Sequence, residues 1–175
     1  DTYTLKLNLI ENCIYGSDIQ QIAVQICKLR FFISLICECK KDLRKTNFGI
    51  NPLPNLETKF VCANSLIALE KNRDNDLFGS DIANIENELQ VVRHKHFSAK
   101  NVTEKKTLRI EDEKLRKKLA GHLQNDSGYS PKEAKLMAEW NPYDQNASSP
   151  FFDPEWMFGV NTGFDIVIGN PPYIQ

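Results

Sequence analysis

The chain has 175 residues, with 22 Lys and Arg against 23 Asp and Glu and with 41% hydrophobic residues. This length suits one domain with an appended subdomain, and the balanced charge excludes an overall basic character, so contact with nucleic acid needs a local patch or sequence outside these residues. No apolar run approaches the roughly 20 residues that a membrane-spanning helix needs, and no secretory signal stands at the N-terminus.

The cysteines are odd in number and form no C-x-x-C pair; they are Cys13, Cys27, Cys37, Cys39 and Cys62. Most of them lie in apolar segments. We therefore expect reduced, buried thiols in a cytoplasmic protein rather than disulfides or a metal site.

The first elements are short. Apolar and polar residues alternate from Leu5 to Leu9 but Ile10 breaks the pattern, so this segment fits either a strand or the end of a helix. The run Cys13–Asp18 then predicts a short apolar strand that ends in Gly-x-Asp. A helix follows, because apolar residues recur at helical spacing at Ile22, Ile26, Leu29, Ile33 and Ile36.

Two interpretations of Asp18 are compatible. With Gln21 it has the form of an N-cap followed by its capping-box partner. An acidic residue at the carboxyl end of a sheet strand is also where Rossmann-like folds bind ribose, since a carboxylate accepts from both hydroxyls of a diol.

A further strand is predicted after a proline-rich loop. Asn51–Asn55 contains two prolines, and Lys59–Ala63 then reads as a short strand that ends at Asn64 and Ser65. A structural interpretation of these two polar residues is that one of them caps a helix that starts at Leu66.

The composition changes from Leu77 to Trp140, where charged residues dominate and strand signals vanish. Ser80 would cap one helix and Thr103 a second, with the turn at residues 97–102, which predicts an antiparallel helical hairpin. Their apolar stripes are Ile82, Ile85, Leu89 and Val92, then Leu108, Leu115, Leu119 and Leu123. Ser130-Pro131-x-Glu133 predicts the start of a third helix, which ends near Trp140.

The hairpin carries many basic residues, with acids interleaved between them. A solvated helix surface is the simplest interpretation, and contact with phosphates is the alternative. His94-x-His96 is interpreted as surface rather than as a metal site, because no third ligand lies nearby at zinc spacing. The basic residues are Arg93, His94, Lys95, His96, Lys100, Lys105, Lys106, Arg109, Lys114, Arg116, Lys117 and Lys118.

Residues 141–160 form a long connection rich in Asn, Ser, Pro and aromatic residues. We expect the aromatic residues of Phe151–Gly159 to pack near the sheet. An exposed aromatic cluster would instead indicate a partner surface.

The last dozen residues carry the most informative motif. Ile166–Ile168 predicts a buried strand that stops at Gly169, because β-branched apolar residues in a row suit a strand covered on both faces. Two prolines cannot continue a ladder, so residues 170–173 must form a stiff loop at the carboxyl end of a strand, where open α/β sheets bind ligands. The alternative is an ordinary strand followed by a proline turn.

This loop suits chemistry on a flat amine. The Asn170 side-chain oxygen and the Pro171 backbone carbonyl could accept the two N–H bonds of an adenine amino group, and Tyr173 offers a ring on which a base stacks. Asn170-Pro171-Pro172-Tyr173 after an apolar strand resembles the catalytic motif of the DNA methyltransferases that make N6-methyladenine. The similar letters Asn141-Pro142-Tyr143 follow no apolar strand and lack the second proline, so we set them aside.

Tyr15–Ile19 with the following helix resembles the cofactor-ribose segment of the same enzymes. Taken together, the chain resembles an internal piece of a large bacterial type II restriction-modification methylase, in which methylation and an endonuclease often share one polypeptide. The resemblance implies S-adenosylmethionine as methyl donor and double-stranded DNA with a flipped adenine as partner. It also places Asp18 on the cofactor ribose, Ile19 against the cofactor adenine, and Asn64 with Ser65 at the adenine amino group.

The sequence departs from the family in one respect. It contains no G-x-G, although the family has a glycine-rich loop after its first strand. We expect that loop before Asp1, and further strands with a target-recognition domain after Gln175. The segment alone would then lack a central strand, and we expect it to be inactive and free of cofactor.

The predicted fold class is α/β, a partial Rossmann-like sheet of an S-adenosylmethionine-dependent methyltransferase with an inserted helical hairpin. Residues 1–76 would be the cofactor-side sheet, 77–140 the helical insertion, and 141–175 the connection and catalytic strand. A methyltransferase for a glutamine side-chain amide or for RNA adenine is the near alternative. A non-catalytic helical interaction module is the alternative from another class.

Overall fold

The computed structural model describes residues 1–69, 79–126 and 130–170. The predicted boundary at 76/77 lies outside these residues, as do Pro171, Pro172 and Tyr173. In the described ranges no helix is both long and apolar enough to cross a bilayer. The elements are α1 (Thr2–Asn12), β1 (Gly16–Asp18), α2 (Gln21–Ile36), a 3-10 turn (Thr46–Gly49), β2 (Phe60–Cys62), α3 (Gly79–Ser98), α4 (Val102–Asp126), α5 (Pro131–Glu139) and α6 (Pro154–Phe158).

The two predicted strands form a parallel pair with α2 as their crossover. Gly16 lies opposite Phe60 and Asp18 opposite Cys62. A Cβ atom at Gly16 would stand 2.7 Å from Cδ1 of Phe60, so only glycine lets this ring lie against β1. The structure therefore confirms a mixed architecture of helices and a small parallel sheet, and the wider Rossmann-like sheet stays a prediction.

The first segment, which fitted either a strand or a helix, is the helix α1. The Asp1 carboxylate accepts from the backbone N–H of Thr4 at 2.8 Å and caps its start. Tyr3 and Ile10 of this helix are buried.

The helix after β1 corrects two predictions. Its N-cap is Gln20 rather than Asp18, whose Oδ1 instead accepts from the Gln20 N–H at 2.7 Å. The predicted apolar stripe faces outward, with Ile22 65% and Ile36 41% exposed, whereas Val24 and Leu35 are buried. The helical period groups residues on one face, but the opposite face of α2 packs against the sheet.

The prediction of a strand at Ile166–Ile168 is wrong. These three residues are 79–93% exposed and have no regular secondary structure. None of their backbone groups bonds to another described residue. A strand forms only where a neighbour satisfies its N–H and C=O groups, and no described strand lies beside this one.

The predicted hairpin is present in α3 and α4. Contacts of Arg93 with Asp112 and of His96 with Arg109 show that the two helices run antiparallel. The second helix begins at Val102, and Asn101 is its cap rather than Thr103, since the Asn101 side-chain oxygen accepts from the Glu104 N–H at 2.7 Å. The predicted Ser80 cap falls on a side chain outside the described residues.

Several basic residues predicted as surface are buried between the helices of the insertion. Arg93 is 7% and Arg116 2% exposed, and both bond to Asp112, which is fully buried. His96 is also fully buried, whereas His94 is exposed and pairs with Glu11. The Asp112 carboxylate between the two guanidinium groups offsets part of the cost of burying their charge.

The connection after the insertion packs as predicted, with an additional short helix. The capping box of Ser130 and Glu133 begins α5, which ends before Trp140. Phe151, Trp156, Met157 and Phe158 are buried. The sequence analysis did not identify α6, although an Asp followed by Pro is a recognised helix start.

Strand β2 lies between two apolar cores. Val61 belongs to the core formed with α4, α5 and α6, and Phe60 and Cys62 belong to the core formed with α1 and α2. Both faces of this strand are therefore covered, as its apolar sequence requires. All five thiols are free, but only that of Cys62 is buried, so the expectation of buried thiols is wrong for Cys13 and Cys37, which are exposed.

Candidate active site

The two parallel strands end at one edge of the sheet and bring their polar ends together. Asp18 is in register with Cys62, and the Asp18 carbonyl accepts from the Ala63 N–H at 3.0 Å. Asn64 follows directly. The cofactor residues predicted from two distant parts of the sequence are therefore neighbours in space.

Asp18 is exposed at this edge. Its Oδ1 holds the turn into α2 through the Gln20 N–H, and no other described residue bonds to its Oδ2. The carboxylate therefore combines a fixed orientation with an oxygen that is open to a hydroxyl donor. Ile19, the next residue, is 65% exposed beside it.

Asn64 and Ser65 form a turn rather than a helix start. The Asn64 side-chain oxygen accepts from the Leu66 N–H at 3.2 Å, and the Ile67 N–H bonds to the Asn64 carbonyl. No helix begins at Leu66 within the described residues, so the capping interpretation is wrong there. The side-chain oxygen keeps a second lone pair, and Ser65 is exposed.

Apolar side chains surround this polar edge. Leu66 is 80% and Ile67 50% exposed, and with Ile19 they offer an apolar surface next to Asp18 and Asn64. Sequence analysis did not single out Leu66 and Ile67. The signal was present, because two aliphatic residues directly follow the polar end of a strand.

A loop outside the predicted site closes the far side of this edge. The Ser149 N–H bonds to the Cys62 carbonyl at 2.8 Å, and the Asn64 N–H bonds to the Ser149 carbonyl at 3.1 Å. The Gln21 side-chain amide donates to the Asn146 carbonyl. Residues 146–149 thus fix the end of β2 against the start of α2, and no strand pattern in their sequence indicates this.

The segment that carries the predicted catalytic motif packs beside the start of β1 through Phe164. The Phe164 ring lies 5.9 Å from the Tyr15 ring and 6.4 Å from the Phe158 ring, centroid to centroid. Asn170 is exposed and makes no hydrogen bond to another described residue. Its predicted companions Pro171, Pro172 and Tyr173 lie outside the described residues.

The environment of Tyr15 favours its neutral form. Burial raises the pKa of the Tyr15 hydroxyl, with a smaller contribution from Cys13. The Lys59 ammonium lies 4.3 Å from the centroid of this ring, and burial lowers the pKa of Lys59, opposed by the carboxylate of Glu11. The cation over the ring face stabilises the start of the strand that ends at Asp18.

The basic end of the hairpin lies away from this edge. The Asn55 side-chain amide donates to the carbonyls of His96 at 2.6 Å and Ala99 at 3.0 Å. Asn55 precedes β2, so the turn between α3 and α4 lies at the amino ends of the strands. The lysines around that turn are therefore at the opposite end from Asp18 and Asn64.

Comparison with known proteins gives one family and one relative. The family model described as Eco57I restriction-modification methylase matches residues 12–175. A protein of Methanocaldococcus jannaschii, named as a candidate type II restriction enzyme and methyltransferase, RM.MjaORFECS2P, is 43% identical over 67 residues. That similarity covers 38% of this chain and 6% of the relative, so the chain spans a small part of that protein's length. No solved structure gives a significant match.

Proposed function

Because the chain belongs to the Eco57I restriction-modification methylase family, we propose that the protein containing it methylates DNA, transferring a methyl group from S-adenosylmethionine to the N6 amine of adenine. Membership of a methylase family supports DNA methylation in general. The choice of adenine rests on the motif at residues 170–173.

One observation carries the proposal. The Asn-Pro-Pro-Tyr motif lies within the region that the family model matches, and its segment begins at Phe164, whose ring contacts Tyr15 three residues before Asp18. Methyl transfer requires the base and the cofactor to be held next to each other, so their two sites have to be adjacent. This contact supports their adjacency.

Each motif residue has a role in the proposed transfer. The adenine amino nitrogen is a poor nucleophile because its lone pair is delocalised into the ring. The Asn170 side-chain oxygen and the Pro171 carbonyl accept its two N–H bonds and favour the tetrahedral nitrogen that attacks. Pro172 keeps the loop rigid, and Tyr173 stacks on the base after it leaves the duplex.

The residues at the sheet edge suit the cofactor. S-adenosylmethionine supplies an electrophilic methyl group on a sulfonium. The free oxygen of Asp18 would accept from the ribose hydroxyls, and Ile19 would pack against the cofactor adenine. Asn64 and Ser65 offer polar atoms to its amino group. Exposure of the Asp18 carboxylate and of Ile19 supports these assignments.

The first test compares two asparagines that share similar neighbours. In the full-length protein, Asn170→Ala should lower methyl transfer to DNA by about 10²-fold or more, since it removes a hydrogen-bond partner of the transition state. Asn141→Ala is the control, because Asn141-Pro142-Tyr143 has similar letters but holds only its own turn, and it should keep nearly full activity. Equal activity of both variants would reject the role of Asn170.

The same assay decides the substrate. Full-length protein and labelled cofactor are offered duplex DNA, structured RNA and a glutamine-containing protein, and the labelled product is then hydrolysed and identified. Label in N6-methyladenine of DNA is the expected result. Label in cytosine, RNA or protein would overturn the proposed substrate, and no label in any of them would overturn the proposed activity.

A further inference from the structure

Three aromatic rings join the cofactor strand to the segment that carries Asn170. We call Tyr15, Phe158 and Phe164 the aromatic bridge. The Tyr15 and Phe158 ring centroids lie 5.0 Å apart, those of Tyr15 and Phe164 5.9 Å, and those of Phe158 and Phe164 6.4 Å. Each ring therefore contacts the other two at distances typical of favourable aromatic pairs.

Phe158 is held in place independently of the motif segment. It is the last residue of α6, which Asp153 caps by accepting from the Trp156 N–H at 2.9 Å. Arg93 of α3 donates to the carbonyls of Trp156 at 2.8 Å and Met157 at 3.0 Å. The helical hairpin thus fixes the end of α6, and the Phe158 side chain is 7% exposed.

Gly159 sets the direction in which the chain leaves α6. Its φ of 71° is a left-handed conformation that favours glycine. A Cβ atom here would meet only the end of the Gln90 side chain of α3, which can move, so the positive φ is the reason for glycine. The chain therefore turns away from the hairpin and reaches Phe164 beside β1.

Phe164 is the contact that holds the motif segment. Ile166, Val167 and Ile168 are exposed, and residues 161–170 make no backbone hydrogen bond to other described residues. Asn170 lies six residues beyond Phe164, a span of at most about 22 Å. The ring contacts of Phe164 therefore limit where Asn170 can lie relative to Asp18.

We propose that Phe158 is a positioning residue for methyl transfer: by packing against both Tyr15 and Phe164, it places the motif segment relative to the cofactor strand. This inference rests on the proposed function. Phe158 is buried, and its proposed effect on the reaction passes through Phe164. It also couples the helical insertion to the reaction, because α3 holds the helix that presents it.

The expected effect separates positioning from cofactor binding. A displacement of about 1 Å of a reacting group costs on the order of 10²-fold in rate. Phe158→Ala should therefore lower kcat for DNA methylation by about 10- to 100-fold. The KM for S-adenosylmethionine should change by less than about threefold, since the Asp18 edge is held by β2 and by the Gln20 N–H.

A second aromatic pair provides the matched control. Phe31 stacks on Phe60 at 4.7 Å in the other core, so Phe31→Ala removes a similar ring contact without touching the aromatic bridge. The two variants are compared in the full-length protein at a temperature at which both stay folded. Phe158→Leu, which keeps apolar volume, should restore most of the kcat lost in Phe158→Ala.

A measurement without catalysis keeps the inference independent of the proposed function. Thermolysin cleaves before aliphatic residues, and Ile166–Ile168 are exposed to it. Phe158→Ala should speed cleavage there by about threefold or more, whereas Phe31→Ala should not. Equal cleavage and equal kcat in the two variants would overturn the inference while the wild type still methylates DNA. An inactive wild type overturns the proposed function, and the cleavage rates still decide whether Phe158 holds the segment.

Discussion

His96 is a neutral and fully buried histidine on helix α3. Its Nε2 accepts from the Arg109 Nε–H at 3.2 Å, which requires the proton to be on Nδ1, and its ring packs against Tyr143. Burial lowers the pKa of His96 below its ordinary 6.5, and Arg109 and Lys105 lower it further, while Glu57 and Asp112 oppose the shift. Protonation would end the bond with Arg109 and place two cations side by side.

The pH dependence of stability follows from this shift. The unfolded chain binds a proton at His96 more readily than the folded chain does. The free energy of unfolding is therefore unaffected by the titration of this group above about pH 6.5, and it decreases as the pH falls from there toward the lower pKa of the folded state. Unfolding in urea from about pH 7.5 to about pH 5.5 should show this loss. His96→Gln should be less stable at the upper pH and show a flatter profile. A parallel profile in the two proteins would contradict the assignment.

Among the helices of the insertion, α3, α4 and α5 share one buried carboxylate. Asp112 accepts from Arg93 Nε at 2.9 Å and from Arg116 Nε at 2.7 Å. Arg116 also donates to the carbonyls of Ala138 and Trp140 at the C-terminal end of α5. Removing Asp112 leaves two guanidinium groups buried without a counter-charge. Asp112→Ala should therefore cost about 3–5 kcal/mol in the free energy of unfolding, measured by urea denaturation.

The neighbouring residue gives the control for this prediction. Glu113 is on the same helix but exposed, and its pKa is lowered by its hydrogen bond to Lys117. Glu113→Ala should leave the unfolding free energy nearly unchanged, because an exposed ion pair is screened by water. Comparable losses in the two variants would show that the Asp112 cluster does not join the helices.

Helix α2 exposes a stripe of aliphatic side chains to solvent and buries other aliphatic side chains on its opposite face. Ile26 is 51% exposed, whereas Leu35 on the opposite face is fully buried. In this chain Leu35→Ala should cost about 2–5 kcal/mol, because it leaves a cavity in the core. Ile26→Ala should change the unfolding free energy by less than about 0.5 kcal/mol. A loss at Ile26 as large as that at Leu35 would mean that another surface covers this face.

For the molecule as a whole, several features that depend on neighbouring residues were predicted correctly from the sequence. The capping box at Ser130, the strand before Asp18 and the apolar stripes of the hairpin all depend on residues within one or two turns. The meeting of Asp18 and Asn64 also followed, because parallel strands end at the same edge.

The failed predictions of burial and of the strand at Ile166–Ile168 have one cause, since they depend on contacts between distant segments. The misplaced caps at Asp18 and Thr103 are local errors of a few residues. Periodicity groups Ile22 with Ile26 but does not say what that face contacts, and β-branched residues favour a strand at Ile166–Ile168 only where a partner is present. Burial of Arg93 depends on Asp112, which lies on another helix. The catalytic role of Asn170 stays a prediction, which the asparagine comparison tests.

The turn of the hairpin has a practical use that follows from where Asn55 holds it. Lys100 is exposed on this turn, at the amino ends of the strands and away from Asp18. In a variant that lacks the exposed thiols of Cys13 and Cys37, a fluorophore attached to a cysteine introduced at this turn would lie at the opposite end of the strands from Asp18 and Asn64. With such a label in the full-length protein, the DNA binding that the proposed function requires could be followed one molecule at a time on a tethered duplex.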